Sequence, residues 1–561
     1  HTLALKANGT VYAWGYNGHG QLGSNGGNSY TPVQVVTGAQ NSASGYLEKV
    51  VDIDVSSEND STWGTSIALT ESKEVYGWGY SGYGALGKTG TITTPIKVSN
   101  VNTAVQIAIG GTNGGQFTYI LKEDGTVSSL GYNGYGQLGN GNNSSTAGIQ
   151  TVQNVKDIVQ VVGSQNGYHG AFVKKDGTVW TVGLNSNGQL GDGSAINKNK
   201  PVQVGGGSSN AMKLRNGAVL ENDGVTVAKD KNGKDLIYNK KDELLTNLYI
   251  EEDQKFRIDS DIQVEKSFSL LKANAKVNPK DLTYTVFDER FATVEKDSNG
   301  NGIVTPKGDI YGIAIILVKD SNSGYGSILR LGIRPKDSVA MPMVSSGSAH
   351  VVALKANGTV WTWGYNVNGE LGDGKNRNTN IPVQVLTGAQ DSNSGYLENI
   401  IQVAAGSYHN LALDKDGTVW AWGYNGYGQL GNNTATNSSL PVKVTGLTDA
   451  VSIAAGYYNS FAVRKDGSVW SWGRNVYGSL GNGNTSNQLI PQRVLGGASG
   501  SQYLTDIVEV KAATYHTLAL KANGTVYAWG YNGYGQLGSN GGNSYTPVQV
   551  VTGAQNSASG Y

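Results

Sequence analysis

Gly134, Gly136 and Gly139, in the stretch GYNGYGQLG at 131–139, stand at the G-x-G-x-x-G spacing of a dinucleotide-binding turn. Such a turn cradles a pyrophosphate only where it leaves a strand and opens a helix, because backbone N–H groups and the helix dipole must meet the charge. Here turn residues follow, and then another strand-like run. The spacing recurs from Gly18, Gly82, Gly426 and Gly533, whereas NSNGQLG, NVNGELG and NVYGSLG lack the first glycine. A cofactor site would not be built eight times and left incomplete in three. The loops read as tight turns around a buried leucine at Leu22, Leu86, Leu138, Leu190, Leu371, Leu430, Leu480 and Leu537, and no cofactor is expected.

The remaining reactive residue types are sparse. His1, His350, His409 and His516 share one register just before a "LAL" or "VAL" strand, and His169 lies close to it, which predicts a structural hydrogen bond in each repeat. Histidines at i, i+4 and a G-x-S-x-G nucleophile turn are both absent from the sequence, so no catalytic or metal-ligating residue is expected. DSNGNG from Asp297 imitates a calcium loop, but Gly308 stands where a bidentate Glu belongs, and a β-turn is expected. The Asn8-Gly-Thr10 and Asn357-Gly-Thr359 sequons arise from hairpin turns. With 0 cysteines, disulfides and thiolate chemistry drop out together.

The elements that must carry these residues are repeats. VYAWGYNGHGQLG at Val11 returns in variant form at Val75, Val127, Val179, Val360, Val419, Val469 and Val526, making eight copies spaced, apart from one large gap, by roughly fifty to sixty residues. Within one unit, VSIAAG and SFAVR alternate as half-buried strands, Lys465-Asp-Gly467 signals a hairpin, and SVWSWG returns. A fourth strand carries Pro-x-x-Val, as in TPVQV at Thr31 and LPVKV at Leu440. Asn or Asp before each turn glycine (Asn8, Asp124, Asp176, Asn357, Asp416, Asn523) predicts a type I′ turn with two positive φ values. The H-x-L-A-L strand, the N/D-G-x-V-W hairpin and the G-x-L-G loop resemble the repeat of the regulator of chromosome condensation 1 family. That resemblance implies a seven-bladed β-propeller. Secreted beta-lactamase inhibitors of the second type have a similar repeat, as do arrays on Gram-positive surfaces. Nucleotide exchange and chromatin binding are not carried over, because this chain lacks a basic surface for DNA.

The expected class is all-β, a seven-bladed propeller with a separate immunoglobulin-like β-sandwich. Residues 1–204 read as the first part of the propeller, 205–211 as a linker or tag scar (GGGSSNA), 212–337 as the sandwich and 338–561 as the rest. The sandwich resemblance, to bacterial immunoglobulin-like domains of the second group, rests on Y-x-V-x-D-x-x-x-A-T-V from Tyr284 and on the N-G-x-V-T turn. Lys213 to Asn278 fits that pattern poorly. Residues 516–561 duplicate 1–46 except that Tyr534 stands for His19. Reading 212–561 and then 47–204 gives one sandwich and seven distinct repeats, so the order reads as rearranged or engineered, with a surplus copy left unpaired or pairing with another molecule. The sequence also starts within a hydrophobic pattern, as a fragment or processed chain would.

Composition narrows the partner. With 81 glycines, 31 tyrosines and 11 prolines in 561 residues, and Lys plus Arg equal to Asp plus Glu at 42 each, nothing draws the chain to nucleic acid or into a membrane. The ligand-contact candidates are aromatic. Tyr16, Tyr80, Tyr132, Tyr365, Tyr424 and Tyr531 follow the strand-ending glycine; Tyr83, Tyr135, Tyr427, Tyr477 and Tyr534 occupy mid-loop positions. Symmetry puts each set around one end of the propeller, where tyrosines either pack blade against blade or anchor a partner. The expected function is non-catalytic protein binding by a bacterial secreted or cell-surface module, against a purely structural array or a beta-lactamase inhibitor as alternatives.

Overall fold

The computed structural model describes residues 1–551 except 7, 57–62, 99–100, 165–166, 206–211, 213–226, 230–234, 238–248, 252–253, 259–277, 309–310, 323–325, 391, 393 and 500–501. The expected linker after Gly205 and most of Lys213 to Asn278 therefore lie outside the described residues.

Alternation of apolar and small residues gives each repeat an antiparallel meander. Four-stranded sheets occupy residues 50–97, 104–151, 158–203, 343–384, 400–443, 450–493 and 507–549, and a three-stranded one occupies 2–34. In chain order, the three-stranded sheet is sheet 1 and the others are sheets 2 to 8. The described residues thus hold eight repeat sheets, one for each of the eight copies, where a ring of seven with one surplus copy was expected. The duplicated strands form in both copies, residues 2–34 as sheet 1 and residues 516–549 as the outer three strands of sheet 8. Proline sits in the outermost strand, as at Pro441 in Ser438–Lys443, where a missing N–H breaks no ladder.

Indoles tie the sheets together. Trp14 Nε1 donates to the Gln536 carbonyl, Trp78 to Gln21, Trp363 to Gln189, Trp422 to Glu370, Trp472 to Gln429 and Trp529 to Ser479, all at 2.8–2.9 Å. Sheets 3 and 4 carry Leu130 and Val182 in that register. There Thr118 Oγ1 reaches the Ala85 carbonyl, and Gln106 Oε1 accepts the Val161 N–H. Because sheet 1 leans on sheet 8 and sheet 2 on sheet 1, the contacts close into a cycle.

The hairpin turns differ from expectation. Only the glycine takes positive φ (Gly125 at 75°, Gly417 at 80°), so the turn is type I followed by a left-handed glycine, not type I′. Asp124 is selected by its side chain instead, whose Oδ1 accepts the Thr126 N–H at 2.9 Å and the Thr126 hydroxyl at 2.6 Å.

The middle segment forms two sheets. Ala292–Lys296 and Gly302–Pro306 belong to a five-stranded sheet; Leu282–Val286, Gly312–Asp320 and Gly326–Arg334 belong to a four-stranded one. The two runs taken as a strand pair, from Tyr284 and Ala292, fall in opposite sheets. Phe256, Leu282, Ala292, Val304, Ile316 and Ile333 form their shared core. This unit is docked on the propeller: Arg290 Nη1 donates to the Ile158 carbonyl, Arg330 Nη2 to that of Val51, and Lys319 pairs with Glu71 at 2.5 Å. Those contacts sit at the hairpin-turn end of the repeat strands. At Asp297 the carboxylate accepts the Asn299 and Asn301 N–H groups, which makes it a turn.

Candidate functional site: an aromatic loop face

The third strand of each four-stranded repeat sheet, and the second of sheet 1, carries a left-handed glycine at or near its end, such as Gly131 at φ 111° or Gly423 at 103°, and hands the chain to the GYNGYGQLG loop. These loops lie at the end of the sheets opposite the hairpin turns, and so away from the docked middle unit.

An asparagine organises seven of the eight loops, and in the loop of sheet 2 the Ser81 hydroxyl accepts the Leu86 N–H in its place. Asn425 Oδ1 accepts the Leu430 N–H at 2.9 Å while its Nδ2 donates to the carbonyls of Thr434 and Thr436; Asn133, Asn185, Asn366 and Asn475 repeat the pattern. All eight plug leucines are fully buried beneath it. The glycines then have separate duties. A Cβ on Gly134 would overlap the Tyr132 ring, and Gly18, Gly82, Gly426 and Gly533 face Tyr16, Tyr80, Tyr424 and Tyr531 in the same way. Of the three loops without the first glycine, two also lack the tyrosine, carrying Leu184 and Arg474 there. The first glycine is therefore room for an aromatic ring. Gly136, at φ 84°, lies against the backbone of Asn199 in the next sheet. The geometry is that of packing, not of phosphate binding.

The predicted tyrosines come together, and mid-loop rings bridge sheets. Tyr83 packs on Tyr132 with centroids 4.8 Å apart, Tyr135 on Tyr168 at 5.2 Å, Tyr427 on Tyr458 at 5.1 Å, Tyr477 on Tyr531 at 4.8 Å and Tyr534 on Tyr16 at 5.0 Å. Tyr365 reaches Tyr408 at 6.4 Å, and Tyr424 lies 5.6 Å from Tyr458. Tyr80 meets Trp63 at 4.4 Å, with His19 stacked on that indole at 4.6 Å. The bridging rings keep a free face: Tyr83 is 46% exposed, Tyr477 39%, Tyr534 38% and Trp63 37%.

Several participants escaped the sequence reading. Tyr168, Tyr408 and Tyr515 stand directly before the register histidine and Tyr458 before its counterpart Asn459, so a repeated tyrosine one place upstream was the available signal. Arg474 lies 5.2–5.7 Å from the rings of Tyr427, Tyr458 and Tyr515, a cation held over three π faces. Burial first, and then the neighbouring phenols Tyr135 and Tyr83, push the Tyr132 hydroxyl above its ordinary value, so it stays a neutral donor. The arc breaks at sheet 4, where Leu184 and Asn187 replace tyrosines and Asn187 accepts from Asn378 instead.

The histidines of the shared register, unlike His19, are not part of this face. Nε2 of His1, His169 and His409 lies 2.9 Å from the hydroxyls of Ser66, Ser346 and Ser460 in the following sheet, and His350 meets Asn410 at the same distance. Pairing of His169 with Gly183 puts it in the register itself, matching His350 with Gly364. The expected structural bond is present between sheets.

Among curated proteins the chain is similar to the mitochondrial RCC1 domain-containing protein RUG3 of Arabidopsis thaliana, 38% identical over 114 residues, covering 20% of this chain and 24% of that protein. It is also similar to the ultraviolet-B receptor UVR8 of the same plant, 30% identical over 242 residues, 40% of this chain and 52% of the relative. The chain thus spans about half the length of these relatives or less. In fold it is similar to the crystal structure of human WBSCR16, at TM-score 0.50 and 18% identity, covering 91% of this chain and 99% of the other. The RCC1-like domain model matches residues 291–560, and models of the regulator of chromosome condensation (RCC1) repeat match 1–21, 73–114 and 176–215. With those repeats matched on both sides of the middle unit, the chain belongs to the RCC1-like repeat propeller family.

Proposed function

We propose that this protein is a non-catalytic binding module that grips another protein with its aromatic loop face. The observation that carries the reading is the set of bridging tyrosines, which are held rigidly by their neighbours yet leave one face in solvent. Tyrosine offers a large amphipathic contact at small conformational cost, and buried aromatic anchors dominate protein interfaces. Trp63 and Arg474 extend the same surface with the other residue types enriched at such sites. The balanced charge supports a protein partner over nucleic acid. On the resemblance of residues 212–337, the middle unit is read as an immunoglobulin-like spacer of a bacterial secreted or cell-surface protein.

The triple variant Tyr135→Ala, Tyr427→Ala, Tyr477→Ala tests this. Immobilised parent protein is exposed to the culture fluid and surface extract of the source cells, and a captured partner is identified by mass spectrometry, purified and titrated. The expected result is affinity of the folded variant weakened roughly tenfold or more, about 1.4 kcal/mol, alongside the modest fall in melting temperature that three lost ring pairs bring. Ring contacts between sheets favour a second reading, in which the tyrosines only pack blade on blade. That reading wins if the variant melts well below the parent and binds as tightly once folded.

A further inference from the structure

The first strands of sheets 3, 4, 6 and 7 (Ala104–Gly110, Ile158–Gly163, Ile400–Ala405 and Ala450–Ala455) share one irregularity. Their pairing with the second strand shifts between Ala104 and Gln106, Ile158 and Gln160, Ile400 and Gln402, and Ala450 and Ser452. Val105, Val159, Ile401 and Val451 are therefore the extra residues of β-bulges, and a bulge re-aims its side chain out of the regular alternation. The position after two of them is committed sideways: Gln106 Oε1 accepts the Val161 N–H at 2.9 Å and Gln402 Oε1 the Ile453 N–H at 3.1 Å. The hairpin-turn end of these sheets consequently presents four apolar side chains toward the docked middle unit.

The middle unit covers two of the four. Val105 packs in one cluster with Phe287 and Val159 in one with Phe291, and both valines are buried. Ile401 and Val451 pack into clusters of propeller residues and stay half-buried, while Ile313 of the middle unit is 53% exposed. A cavity of about 590 Å³ lies here, lined by the four bulge residues and by Phe287, Phe291, Tyr311 and Ile313. That volume falls within the range of small-molecule sites, roughly 300–1,000 Å³. Its charged walls lean positive, with Arg290, Arg330, Arg334 and Lys415 against Asp52 and Asp288. Both carboxylates already face an arginine: Arg290 Nη2 lies 2.7 Å from Asp288 and Arg330 Nη2 lies 3.4 Å from Asp52. The Lys415 ammonium has no acceptor among the described residues. In a chain whose charges balance overall, this cationic excess is local, and low-dielectric walls focus its field on whatever enters.

We propose that this cavity binds a small organic acid, its apolar body between Ile313 and the bulge residues Ile401 and Val451 and its carboxylate toward Lys415. The bulge residues and Ile313 bury a hydrocarbon or aromatic body. The amides of Gln106 and Gln402 are engaged through both oxygen and nitrogen by the neighbouring sheets, so they leave the carboxylate as the ligand's main polar handle. An organic cation meets like charge on the same walls. The cavity lies at the end of the propeller opposite the aromatic loops, so it is independent of the protein contact proposed above. A bound acid touches the middle unit through Ile313 and the propeller through Ile401.

Titration calorimetry of the full chain with octanoate, 1-octanol and octylammonium reads this chemistry, because the three probes share one apolar body. Octanoate is expected to bind roughly tenfold more tightly than octanol, with octylammonium weakest. Lys415→Gln, at an exposed position, is expected to weaken octanoate about tenfold and to leave octanol unchanged. Ile401→Trp and Ile313→Trp fill the cavity from opposite walls, and each is expected to weaken octanoate and octanol alike, about tenfold or more, with circular dichroism unchanged. If a tryptophan variant fails to fold, Lys415→Gln decides alone. Octylammonium that binds as tightly as octanoate, or octanoate binding untouched by Lys415→Gln, overturns the assignment of an acid. The cavity itself is overturned as the site by tryptophan variants that fold and bind both probes like the parent. It is overturned too if octanoate, up to roughly 10 mM, gives neither heat of binding nor a shift in melting temperature.

Discussion

Replacing His409 with Asn isolates one link of the histidine ring and makes its energy measurable. His409 is fully buried, its Nε2 2.9 Å from the Ser460 hydroxyl, and burial, followed by the nearby His350, lowers its pKa to about 3. In the unfolded chain the same imidazole titrates near 6.5. A base with a depressed folded pKa leaves the unfolded state holding more protons, so stability is complete above about pH 6.5 and is lost as pH falls toward the folded value. At pH 5 the unfolded imidazole has gained about 1.5 pH units of protonation that the folded one refuses, about 2 kcal/mol at 1.36 kcal/mol per unit. His169 and His350, buried and lowered to about 4, add similar losses. Asp54 works in the opposite sense: burial raises it to about 7, so it favours the folded state as pH falls and offsets roughly one histidine. A paired design cancels every group but one. Asn already stands in the equivalent position of sheet 7, as buried Asn459, so His409→Asn is a substitution the fold accommodates. Urea unfolding followed by tryptophan fluorescence, at pH 7 and pH 5 on both proteins, is the assay. Wild type is expected to lose about 2 kcal/mol more than the variant between the two pH values. Equal losses would refute the reasoning, since the buried neutral imidazole would then contribute nothing to acid sensitivity.

The two glycine duties separate by substitution. Gly136→Ala strains a φ of 84° and drives a Cβ against the Asn199 backbone, and it is expected to cost about 1–3 kcal/mol by calorimetry. Gly134→Ala meets only the movable Tyr132 ring, so its melting temperature falls less while the near-ultraviolet dichroism of the tyrosines changes; the reverse order counts against these assignments. Trp472→Phe removes an indole donor from the Gln429 carbonyl, which keeps only the Ser460 hydroxyl, and is expected to cost about 1–3 kcal/mol. Trp470→Phe, at a half-buried ring bonded to Ser468 just before its own strand, costs less in the same melting assay.

Much of this fold is legible because its units are local. Each sheet is a meander of consecutive strands joined by short turns, so period-two alternation, a glycine turn and Pro-x-x-Val locate strands without long-range knowledge. The turn type escaped, because Asn or Asp before Gly serves a type I′ backbone and a side-chain-capped type I turn equally well. The eight copies were legible, but the number joined in one cycle escaped for a different reason. How many repeats close a ring depends on the small angle between neighbouring sheets, which is set by contacts such as Trp472 on Gln429 and leaves no periodicity in one repeat. The middle unit was read least well, since the strands from Tyr284 and Ala292 cross between two sheets and local pattern cannot say which strand lies opposite which.

For the loop face, the sequence posed packing against recognition as alternatives, and the geometry removes the opposition. Tyr477 spends one face on Tyr531 and Tyr515 and leaves 39% of its surface in solvent. A ring already immobilised by its neighbours loses little entropy when a partner covers the other face, so the packing is what makes the exposed side an efficient contact. This fits the placing of the first glycine in most loops: Gly134 and Gly426 are kept where a ring lies over them, and Ser186 and Val476 replace the glycine where Leu184 and Arg474 stand in the tyrosine's place, whereas Tyr365 is followed by Val367 and departs from the pattern. It also gives the surface a polarity that no single repeat encodes. The aromatic arc runs through the sheets carrying Tyr365, Tyr424, Tyr477, Tyr531, Tyr16, Tyr80 and Tyr132 and stops at Leu184 and Asn187. A partner read by stacked phenols therefore meets an arc with a defined gap, which fixes its orientation on an otherwise repetitive ring.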